Sequence, residues 1–425
     1  MDLIEEYRWR GLLQDATEGA AEMLRSEPRR IYIGFDPTAS SLHVGNLLTV
    51  MGLVHAQRAG HSPIALVGGG TGLIGDPSGK AEERKLQSRE DVERNALGIH
   101  AQLERFLDFE ARTNPATMVN NLDWLGSLPL LDFLRDTGKH FSVNALLGKE
   151  SIRRRVQSEE TGLSYTEFSY ILLQAYDFLA LHDRLGCTGQ MGGSDQWGNI
   201  TAGIDLIRRV RGAKAFGVVW PLMTTSSGVK FGKTEAGAVW LDPARTSPFR
   251  FYQFWLNTDD GDAVRWLKAF TLFSSAEIEG LAADLKANPA GRAAQRALAE
   301  DVTRRVHDED GLSRALRATQ VLFGGALDGL SADEIADVFS DVPSSEVAGT
   351  ELGGEGLNVV DLLAHTGLAS SKGDARRSLE AGGIYLNGER VDSVERGVTH
   401  QDTIEGRFLV LRKGKKNHHL VRVRR

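Results

Sequence analysis

The sequence predicts an α/β fold with a parallel sheet, followed by an all-α domain and a small α+β domain. Strand and helix patterns alternate at 29–70, and residues 247–330 are rich in Ala, Leu, Arg and Glu at helical spacing. A basic helix and a hairpin around Asn-Gly lie near the C-terminus. A chain of 425 residues is long enough for about three such units, each with its own core.

The first domain, predicted at 1–223, opens with two strands around one helix. Residues 31–35 are β-branched or aromatic, residues 42–59 are apolar at helical spacing, and residues 63–67 form a second apolar run. This order is typical of a parallel sheet, and the loops after such strands are where α/β proteins bind nucleotides. A later strand is predicted at Phe216–Trp220.

The remaining boundaries follow changes in composition. Two capping boxes, beginning at Ser274 and Ser331, mark helix starts in the all-α domain. Gly, Ser and Pro before the last domain indicate a linker. The predicted order is a lysine-rich loop and linker at 224–246, the helical domain at 247–340, a linker at 341–356 and the α+β domain at 357–425.

Charge is distributed unevenly along the chain. The net charge is −7, which by itself argues weakly against a nucleic-acid partner. Residues 357–425, however, contain 13 Lys and Arg against 8 Asp and Glu. A basic C-terminal segment on an acidic body is typical of an added module that binds nucleic acid.

Composition also limits the class of protein and its compartment. Apolar residues make up 41% and charged residues 25%, which argues against disordered and collagen-like chains. The single cysteine, Cys187, excludes a disulfide framework and a multi-cysteine zinc site. No apolar stretch reaches the roughly 18 residues of a membrane span, and the acidic N-terminus is unlike a secretory or mitochondrial leader. We therefore expect a cytoplasmic protein without a membrane partner.

A glycine-rich loop follows the second predicted strand. Residues 70–75 fit the dinucleotide pattern G-x-G-x-x-G, but the turn chemistry at 75–79 cannot begin the helix that this pattern requires. Ile74 and Ala81 stand where a P-loop needs glycine and a hydroxyl. What remains is a loop whose backbone can approach a ligand closely. Three charged residues flank it, and alone they are typical of a solvated loop: Asp76, Lys80 and Arg84.

Two further motifs suit a phosphate-bearing ligand. His43 precedes Gly45 at a helix start, where free N–H groups favour phosphate and the missing side chain leaves room for a flat ligand group. Lys230, Lys233 and Thr234 lie on one loop and can hold a polyphosphate. Each motif alone is weak evidence, because a lone histidine at a helix start is usually an exposed or capping residue and solvated basic loops are common. Together they are much more specific.

These motifs resemble the signatures of class I aminoacyl-tRNA synthetases. Residues 43–46 resemble their His-Ile-Gly-His motif and residues 230–234 their Lys-Met-Ser-Lys-Ser loop, although Asn46 replaces the second histidine. Further blocks resemble bacterial tyrosyl-tRNA synthetases from near residue 1 to the C-terminus; they are 32–38, 72–80, 170–177 and 192–199. The resemblance implies a Rossmann-like catalytic domain.

An amino-acid pocket is predicted on one helix. Tyr170, Gln174 and Asp177 are spaced i, i+4, i+7, so one face presents a phenol, an amide and a carboxylate among apolar neighbours. Buried polar groups are costly unless something pairs with them, so a bound ligand is favoured over a solvated polar face. The resemblance implies that Tyr32 and Asp177 bind the substrate phenol, which argues against the related tryptophanyl-tRNA synthetases. It also implies an ammonium site of Tyr170, Gln174 and Asp76, a carboxylate contact from Gln196, and Gln190 in the tyrosine site, with Asn121 as a further candidate.

The resemblance also implies the chemistry. Tyrosine attacks the α-phosphate of ATP, and the adenylate is then passed to a terminal ribose hydroxyl of tRNA(Tyr). Mg²⁺ accompanies ATP, and no protein-bound metal or organic cofactor is expected. The catalytic set is Thr38, His43, Lys80, Arg84, Lys230, Lys233 and Thr234. The ATP-binding set is Gly34, Asp36, His43, Gly45, Asn46, Gly193, Asp195, Lys230 and Lys233.

The last domain resembles the S4 RNA-binding domain. Residues 371–379 form a basic helix, and residues 384–391 read as a hairpin around a type I′ turn at Asn-Gly. The implied RNA-binding residues are Lys372, Arg376, Arg377, Lys413, Lys415 and Lys416, and Arg412 is also suited to a phosphate contact. The expected partners are L-tyrosine, ATP, tRNA(Tyr) and a second copy of the chain. Two alternatives remain: a non-catalytic RNA-binding protein on a synthetase scaffold, and a basic tail that serves solubility.

Overall fold

The computed structural model describes residues 1–78, 86–149, 152, 153, 156, 162–226, 228, 231–234, 237–322, 327, 329–340, 342–414 and 417–424. These residues form two compact units. The first contains 1–242 and 257–298, and the second contains 243–256 and 299–425.

The first unit is built on a six-stranded sheet. Its strands are β1 (Asp15–Ala16), β2 (Arg30–Phe35), β3 (Ser62–Val67), β4 (Thr117–Asn120), β5 (Cys187–Gly193) and β6 (Phe216–Trp220). Their order is β1-β6-β5-β2-β3-β4, and all neighbours are parallel except β1 and β6. The predicted α/β fold is confirmed. The strand order changes direction between β2 and β5, and ligands of such sheets bind beyond the carboxyl ends of the strands at this point.

Helices cover both faces of this sheet. The helices are α1 (Leu3–Trp9), α2 (Ala20–Ser26), α3 (Val44–Arg58), α4 (Arg89–Leu103), α5 (Leu122–Leu125), α6 (Leu130–Asp132), α7 (Val143–Leu147), α8 (Tyr165–Leu185), α9 (Trp197–Arg211), α11 (Asp260–Phe270) and α12 (Ser275–Ala287), and a short antiparallel pair adds β7 (Lys233–Thr234) and β8 (Gly237–Ala238). Successive residues of β2 point to opposite faces. Tyr32 packs edge-on against Phe178 of α8, with ring centroids 5.2 Å apart, while Ile33 lies beside Gly52 of α3. The sheet is therefore the middle of three layers.

The second unit combines helices with a five-stranded sheet. Its helices are α10 (Pro248–Leu256), residues 299–322 of α13 (Ala293–Leu322), α14 (Ala332–Val338), α15 (Val359–His365) and α16 (Lys372–Glu380). Its strands are β9 (Ser344–Ala348), β10 (Leu357–Asn358), β11 (Ile384–Leu386), β12 (Glu389–Arg390), β13 (Gly397–Val398), β14 (Phe408–Lys413) and β15 (Asn417–Arg424). The sheet order is β12-β11-β14-β15-β9, and β10 pairs with β13. One face packs on α15 and α16, and the other packs on α14 and the end of α13.

The predicted hairpin is present. Leu386 pairs with Glu389, and Asn387 and Gly388 have φ values of 48° and 87°. Two successive positive φ angles are the signature of a type I′ turn. The capping boxes at Ser274 and Ser331 are likewise formed.

Two predicted boundaries need correction. The linker at 341–356 contains β9, which pairs in parallel with β15 along Leu420–Arg424 and so belongs to the sheet. The helical domain at 247–340 is divided between the units, because α11 and α12 belong to the first. Within α11, Trp266 and Phe270 pack on Phe231, which ties this helix to the preceding loop.

Across the described ranges, no helix is both long enough and apolar enough to cross a membrane.

Candidate active site

A cavity of about 390 Å³ lies at the β2/β5 switch point. The carboxyl ends of both strands and the helix face predicted on α8 line it. The predicted site residues around this cavity are Tyr32, Gly34, Asp36, Thr38, His43, Gly45, Asn46, Asp76, Tyr170, Gln174, Asp177, Gln190, Gly193, Asp195 and Gln196. The sheet therefore brings together residues that are up to 164 positions apart in the chain.

One end of the cavity is built to bind a hydroxyl group. Asp177 is 1% exposed and accepts hydrogen bonds from Trp124 Nε1 at 2.7 Å and Asn121 Nδ2 at 2.9 Å. Burial raises the pKa of its carboxyl to about 7 despite these two donors. Tyr32 is also 1% exposed, and its hydroxyl has no hydrogen-bond partner among the described residues. Burial and the nearby Asp177 raise the pKa of this phenol well above its usual value. A buried unpaired hydroxyl is costly, so this end is suited to a polar ligand group.

A chain of hydrogen bonds crosses the floor of the cavity from this end. Asn121 Nδ2 also donates to Thr71 Oγ1 at 2.8 Å, and Thr71 donates to Asp36 at 2.7 Å. The Tyr170 hydroxyl donates to the other oxygen of Asp36 at 2.7 Å. The network fixes Asp36 and Asp177 relative to each other, so both acceptors are positioned before a ligand arrives.

A second cluster contains the other predicted polar residues. Gln196 Nε2 donates to Asp76 at 2.7 Å, and Gln174 Nε2 donates to Gln196 Oε1 at 3.2 Å. Asn199 Nδ2 donates to Gln174 Oε1 at 2.9 Å. Burial raises the pKa of the Asp76 carboxyl to about 6. The cluster therefore offers a buried carboxylate to a cationic group.

His43 is the N-cap of α3. Its Nδ1 accepts a hydrogen bond from Gly45 N at 3.0 Å, and Asn46 Oδ1 accepts one from His43 N at 3.1 Å. A neutral imidazole that accepts at Nδ1 carries its proton on Nε2, so Nε2 is left as the donor. Asn46, which replaces the second signature histidine, therefore has a capping contact.

Two expectations about this helix start are corrected. The N–H groups of the first turn are already paired: Val44 N donates to Val239 O, and Asn46 N donates to His43 O. A Cβ on Gly45 would lie 2.8 Å from His43 Cε1, so the missing side chain makes room for the imidazole. The donor offered here is the His43 side chain and not a set of free amides.

The lysine-rich loop is anchored beside this helix start by its phenylalanine. Phe231 is buried and stacks on Phe270 at a centroid distance of 5.0 Å, with Trp266 at 4.5 Å. Gly232 has a φ of +85°, and a Cβ there would lie 3.0 Å from Gly45 N. Phe231 and Gly232, which depart from the family signature, hold the loop backbone against α3.

The glycines that lead into the glycine-rich loop lie against the protein's own side chains. A Cβ on Gly68 would lie 2.1 Å from an Asp36 oxygen, and one on Gly69 would lie 2.3 Å from Asn120 Oδ1. The group that approaches these glycines closely is therefore the protein's own polar side chain. Thr71–Leu73 is a single 3₁₀ turn, so the long helix of a dinucleotide site does not begin inside the loop.

Several predicted residues lie outside this description. Lys80, Arg84, Lys230, Lys415 and Lys416 are outside the described residues. Lys233 and Thr234 form β7, which pairs with β8.

Among the described residues, no group of three or more His, Cys, Asp or Glu side chains is placed to hold a metal ion.

Comparison with known proteins gives the family. Residues 24–324 match the family described as tRNA synthetases class I (W and Y), and residues 334–421 match the tyrosine–tRNA ligase SYY-like C-terminal domain. The tyrosine–tRNA ligase of Roseiflexus castenholzii is 55% identical over 421 residues, which cover 99% of each chain. The chain belongs to the bacterial tyrosyl-tRNA synthetases.

A solved structure and a second sequence relative agree with this family. A C-terminally truncated mitochondrial tyrosyl-tRNA synthetase from Aspergillus nidulans is 30% identical, with a TM-score of 0.67 over 75% of this chain and 94% of that one. The tyrosine–tRNA ligase of Geobacillus kaustophilus is 52% identical over 425 residues, which cover 99% of this chain and all of that relative. The prediction of a tyrosyl-tRNA synthetase with an added C-terminal domain is confirmed.

In this tyrosyl-tRNA synthetase, sequence reasoning missed part of the site. Trp124 was not selected, although its indole holds Asp177, and Asn199 and Thr71 were also overlooked. Asn121 was a candidate for the tyrosine site, and the structure gives it a contact with Asp177. The sequence around an indole or an amide that follows a strand does not indicate a site residue, because the partner of that side chain lies on α8, in a distant segment.

Proposed function

We propose that this chain activates L-tyrosine with ATP, forming tyrosyl-adenylate and pyrophosphate, and then transfers tyrosine to the 3′-terminal ribose of tRNA(Tyr). The Tyr32 hydroxyl, which is buried beside Asp177 and has no hydrogen-bond partner among the described residues, carries this proposal. Tyr32 lines the same cavity as His43 and Phe231 of the lysine-rich loop. A tyrosine whose phenol is bound by Tyr32 and Asp177 thus shares this cavity with the phosphate-binding motifs.

Tyrosine is held by three sets of contacts in this proposal. Tyr32 and Asp177 bind its phenol. Asp76, Tyr170 and Gln174 hold its ammonium group, and Gln196, with Gln190, positions the remainder. Phenylalanine is rejected, because it leaves the buried hydroxyl of Tyr32 and the carboxylate of Asp177 without a ligand partner.

Activation requires no protein nucleophile, because the tyrosine carboxylate is itself the attacking group. Catalysis then rests on holding the two reactants in line and on stabilising charge that develops on the phosphates. His43 Nε2–H and Thr38 are assigned to this charge, and Asp195 to the ribose. Lys80, Arg84, Lys230, Lys233 and Thr234 are assigned to the departing pyrophosphate, with Mg²⁺ bound to ATP as part of the substrate.

Exchange of radiolabelled pyrophosphate into ATP tests the proposal directly. We expect exchange that depends on tyrosine and is absent with phenylalanine or tryptophan. The control is the Asp183→Asn protein, which carries a conservative change on the exposed side of α8. If tyrosine does not raise the rate of exchange above background, and the same preparation still binds tRNA(Tyr), the chain is instead a non-catalytic RNA-binding protein.

The affinity for tyrosine is expected to fall below about pH 6. The ammonium group requires an ionised carboxylate, and burial places the pKa of Asp76 at about 6. As the pH falls through that value, Asp76 becomes protonated and its attraction for the ammonium group is lost. The KM for tyrosine in the exchange assay should therefore rise by up to about tenfold per pH unit below this point.

The matched ligand for this pH test is desamino-tyrosine, which retains the phenol but has no ammonium group. Its inhibition constant should share any pH dependence that comes from Asp177, whose pKa is about 7, and should lack only the further break at about 6 that comes from Asp76. Asp76→Asn should weaken tyrosine binding and remove the break. A KM for tyrosine that is constant through this range would contradict the assignment of Asp76.

The chain is proposed to act as a homodimer. Large apolar side chains are exposed at 130–165, which soluble monomers rarely allow in such number. They are Leu130, Leu131, Leu134, Val143, Leu147 and Tyr165.

A cytoplasmic location is also proposed. Tyrosine–tRNA ligation and the single buried Cys187 support it.

Leu131→Lys is expected to dissociate the dimer. Leu131 is 77% exposed in the single chain, and burial of one leucine from each copy contributes about 3 kcal/mol or more to association. The dissociation constant should rise by roughly 10²-fold, as measured by sedimentation. Leu97→Lys is the control, because Leu97 is 73% exposed on α4, outside 130–165. Equal dissociation constants for the two variants would argue against this surface.

A further inference from the structure

Tyr385 and Arg412 form a flat cation–aromatic pair on the C-terminal sheet. They are direct neighbours in the register of β11 and β14, and the Arg412 guanidinium carbon lies 3.7 Å from the Tyr385 ring centroid. Ile384 and Leu386 are buried in the core, so Tyr385 between them points to the opposite face of the sheet. Both members of the pair are only half-buried. The pair is therefore accessible from solvent.

The geometry of this pair is fixed. Arg412 Nη1 donates to Gly414 O at 2.6 Å, and Gly414 N donates to Gly383 O at 2.8 Å. These bonds connect the β14–β15 turn to the turn after α16. The guanidinium group is thus held over the ring without a carboxylate partner, since none of the ion pairs formed by the described residues includes Arg412.

One further cationic side chain lies beside the pair. Arg390 lies opposite Tyr385 in the register of β12; its side chain is 56% exposed, and its Nε lies 3.2 Å from a carboxylate oxygen of the exposed Asp392. It lies over Gly382, where a Cβ would be 1.9 Å from an Arg390 nitrogen. Helix α16, which packs on the other face of the sheet, exposes Arg376 and Arg377. The surface therefore offers a cation–aromatic pair for stacking, with Arg390 beside it for phosphate.

Two predicted RNA-binding lysines differ from Arg376 and Arg377. Lys372 pairs with Asp361 at 2.7 Å, and Lys413 pairs with Asp374 at 3.0 Å. The Lys413 ammonium is the main reason that the pKa of Asp374 falls to about 2. Their charge is partly neutralised within the protein, whereas Arg376 and Arg377 form no ion pair within the described ranges.

We propose that Tyr385 and Arg412 form a stacking site for an unpaired base of the tRNA, with Arg390 contacting an adjacent phosphate. Proteins recognise single-stranded RNA by stacking its bases on aromatic rings or guanidinium planes. An acidic peptide would be bound by the cations alone and would leave the flat pair unused. The inference rests on the proposed function, because it names a contact for the same tRNA.

The test compares Tyr385→Leu with Tyr385→Phe in the full-length protein. Dissociation constants are measured for a tRNA(Tyr) transcript and for a fully paired RNA duplex, each at several salt concentrations. Tyr385→Leu should weaken tRNA binding by roughly 5- to 150-fold, which is the range for one stacked base. Tyr385→Phe retains the ring and should bind tRNA within about twofold of the unsubstituted protein. Neither substitution should alter duplex binding, because paired bases are not available for stacking.

Salt dependence separates stacking from charge. The slope of log K against log salt should be unchanged by Tyr385→Leu, since no phosphate contact is lost, whereas Arg376→Gln should reduce it by about one. Arg412→Lys keeps the positive charge but removes the planar guanidinium group. It should therefore weaken tRNA binding by about as much as Tyr385→Leu does. This second variant also answers the objection that Tyr385→Leu has disturbed the fold.

Either of two results would overturn the stacking site. One is unchanged tRNA affinity in both Tyr385→Leu and Arg412→Lys. The other is an equal loss for the tRNA and the paired duplex. Pyrophosphate exchange by the unsubstituted protein is measured in parallel. Its absence would count against the proposed activation reaction, and RNA binding would still report on the stacking site.

Discussion

Asp177→Asn is expected to raise the KM for tyrosine by about 10²-fold. The carboxylate accepts from Trp124 and Asn121, and in the proposed function it also accepts from the substrate phenol. An amide has one acceptor oxygen, so either a buried donor or the phenol loses its partner. Each such loss costs about 1–3 kcal/mol, and 1.4 kcal/mol corresponds to tenfold in affinity. The KM for ATP should change little, because the phosphate end of the cavity is untouched.

The measurement is the ratio of kcat/KM for tyrosine to that for phenylalanine in pyrophosphate exchange. This ratio should narrow in Asp177→Asn and stay unchanged in Asp183→Asn, the same substitution at the surface of α8. If Asp177→Asn keeps the same ratio of kcat/KM for tyrosine to that for phenylalanine, Tyr32 alone distinguishes the two substrates.

The stability of Asp177→Asn should also differ from the unsubstituted protein in its pH dependence. Burial raises the pKa of Asp177 from 3.8 to about 7, so the folded state binds a proton more tightly than the unfolded state. This carboxyl therefore lowers the free energy of unfolding as the pH rises from about 4 to 7. The asparagine variant lacks that contribution. Relative to the variant, the free energy of unfolding of the unsubstituted protein should therefore fall as the pH rises from about 4 to 7.

The helix face of Tyr170, Gln174 and Asp177 could be predicted from sequence because helical periodicity is local. The same holds for the βαβ unit and for the Asn-Gly turn, where two adjacent residues determine the backbone geometry. In each case the pattern lies within one element or within consecutive elements of the chain. Tertiary packing confirmed these features without altering them.

Contacts between distant segments could not be predicted in this way. Trp124 and Asn121 reach Asp177 only because β4 ends beside α8, more than 50 positions away in the chain. Strand β9 has the composition of a linker, and its pairing with β15 depends on residues at the other end of the domain. The absent side chain of Gly45 predicts room for a ligand group, whereas the His43 imidazole occupies that space.

His43→Ser is expected to lower the kcat of pyrophosphate exchange by about 10²-fold or more, with little change in the KM for tyrosine. A donor aimed at charge that develops in the transition state contributes on that scale. His43 also caps α3, so His43→Ala would combine this loss with a cap loss of about 1 kcal/mol. Serine is a good N-cap but is too short to extend toward the phosphates. His43→Ser should therefore retain stability and lose catalysis, while His43→Ala loses both. A kcat in His43→Ser close to that of the unsubstituted protein would show that the histidine serves as a cap alone, and the phosphate contact would then have to come from the lysine-rich loop.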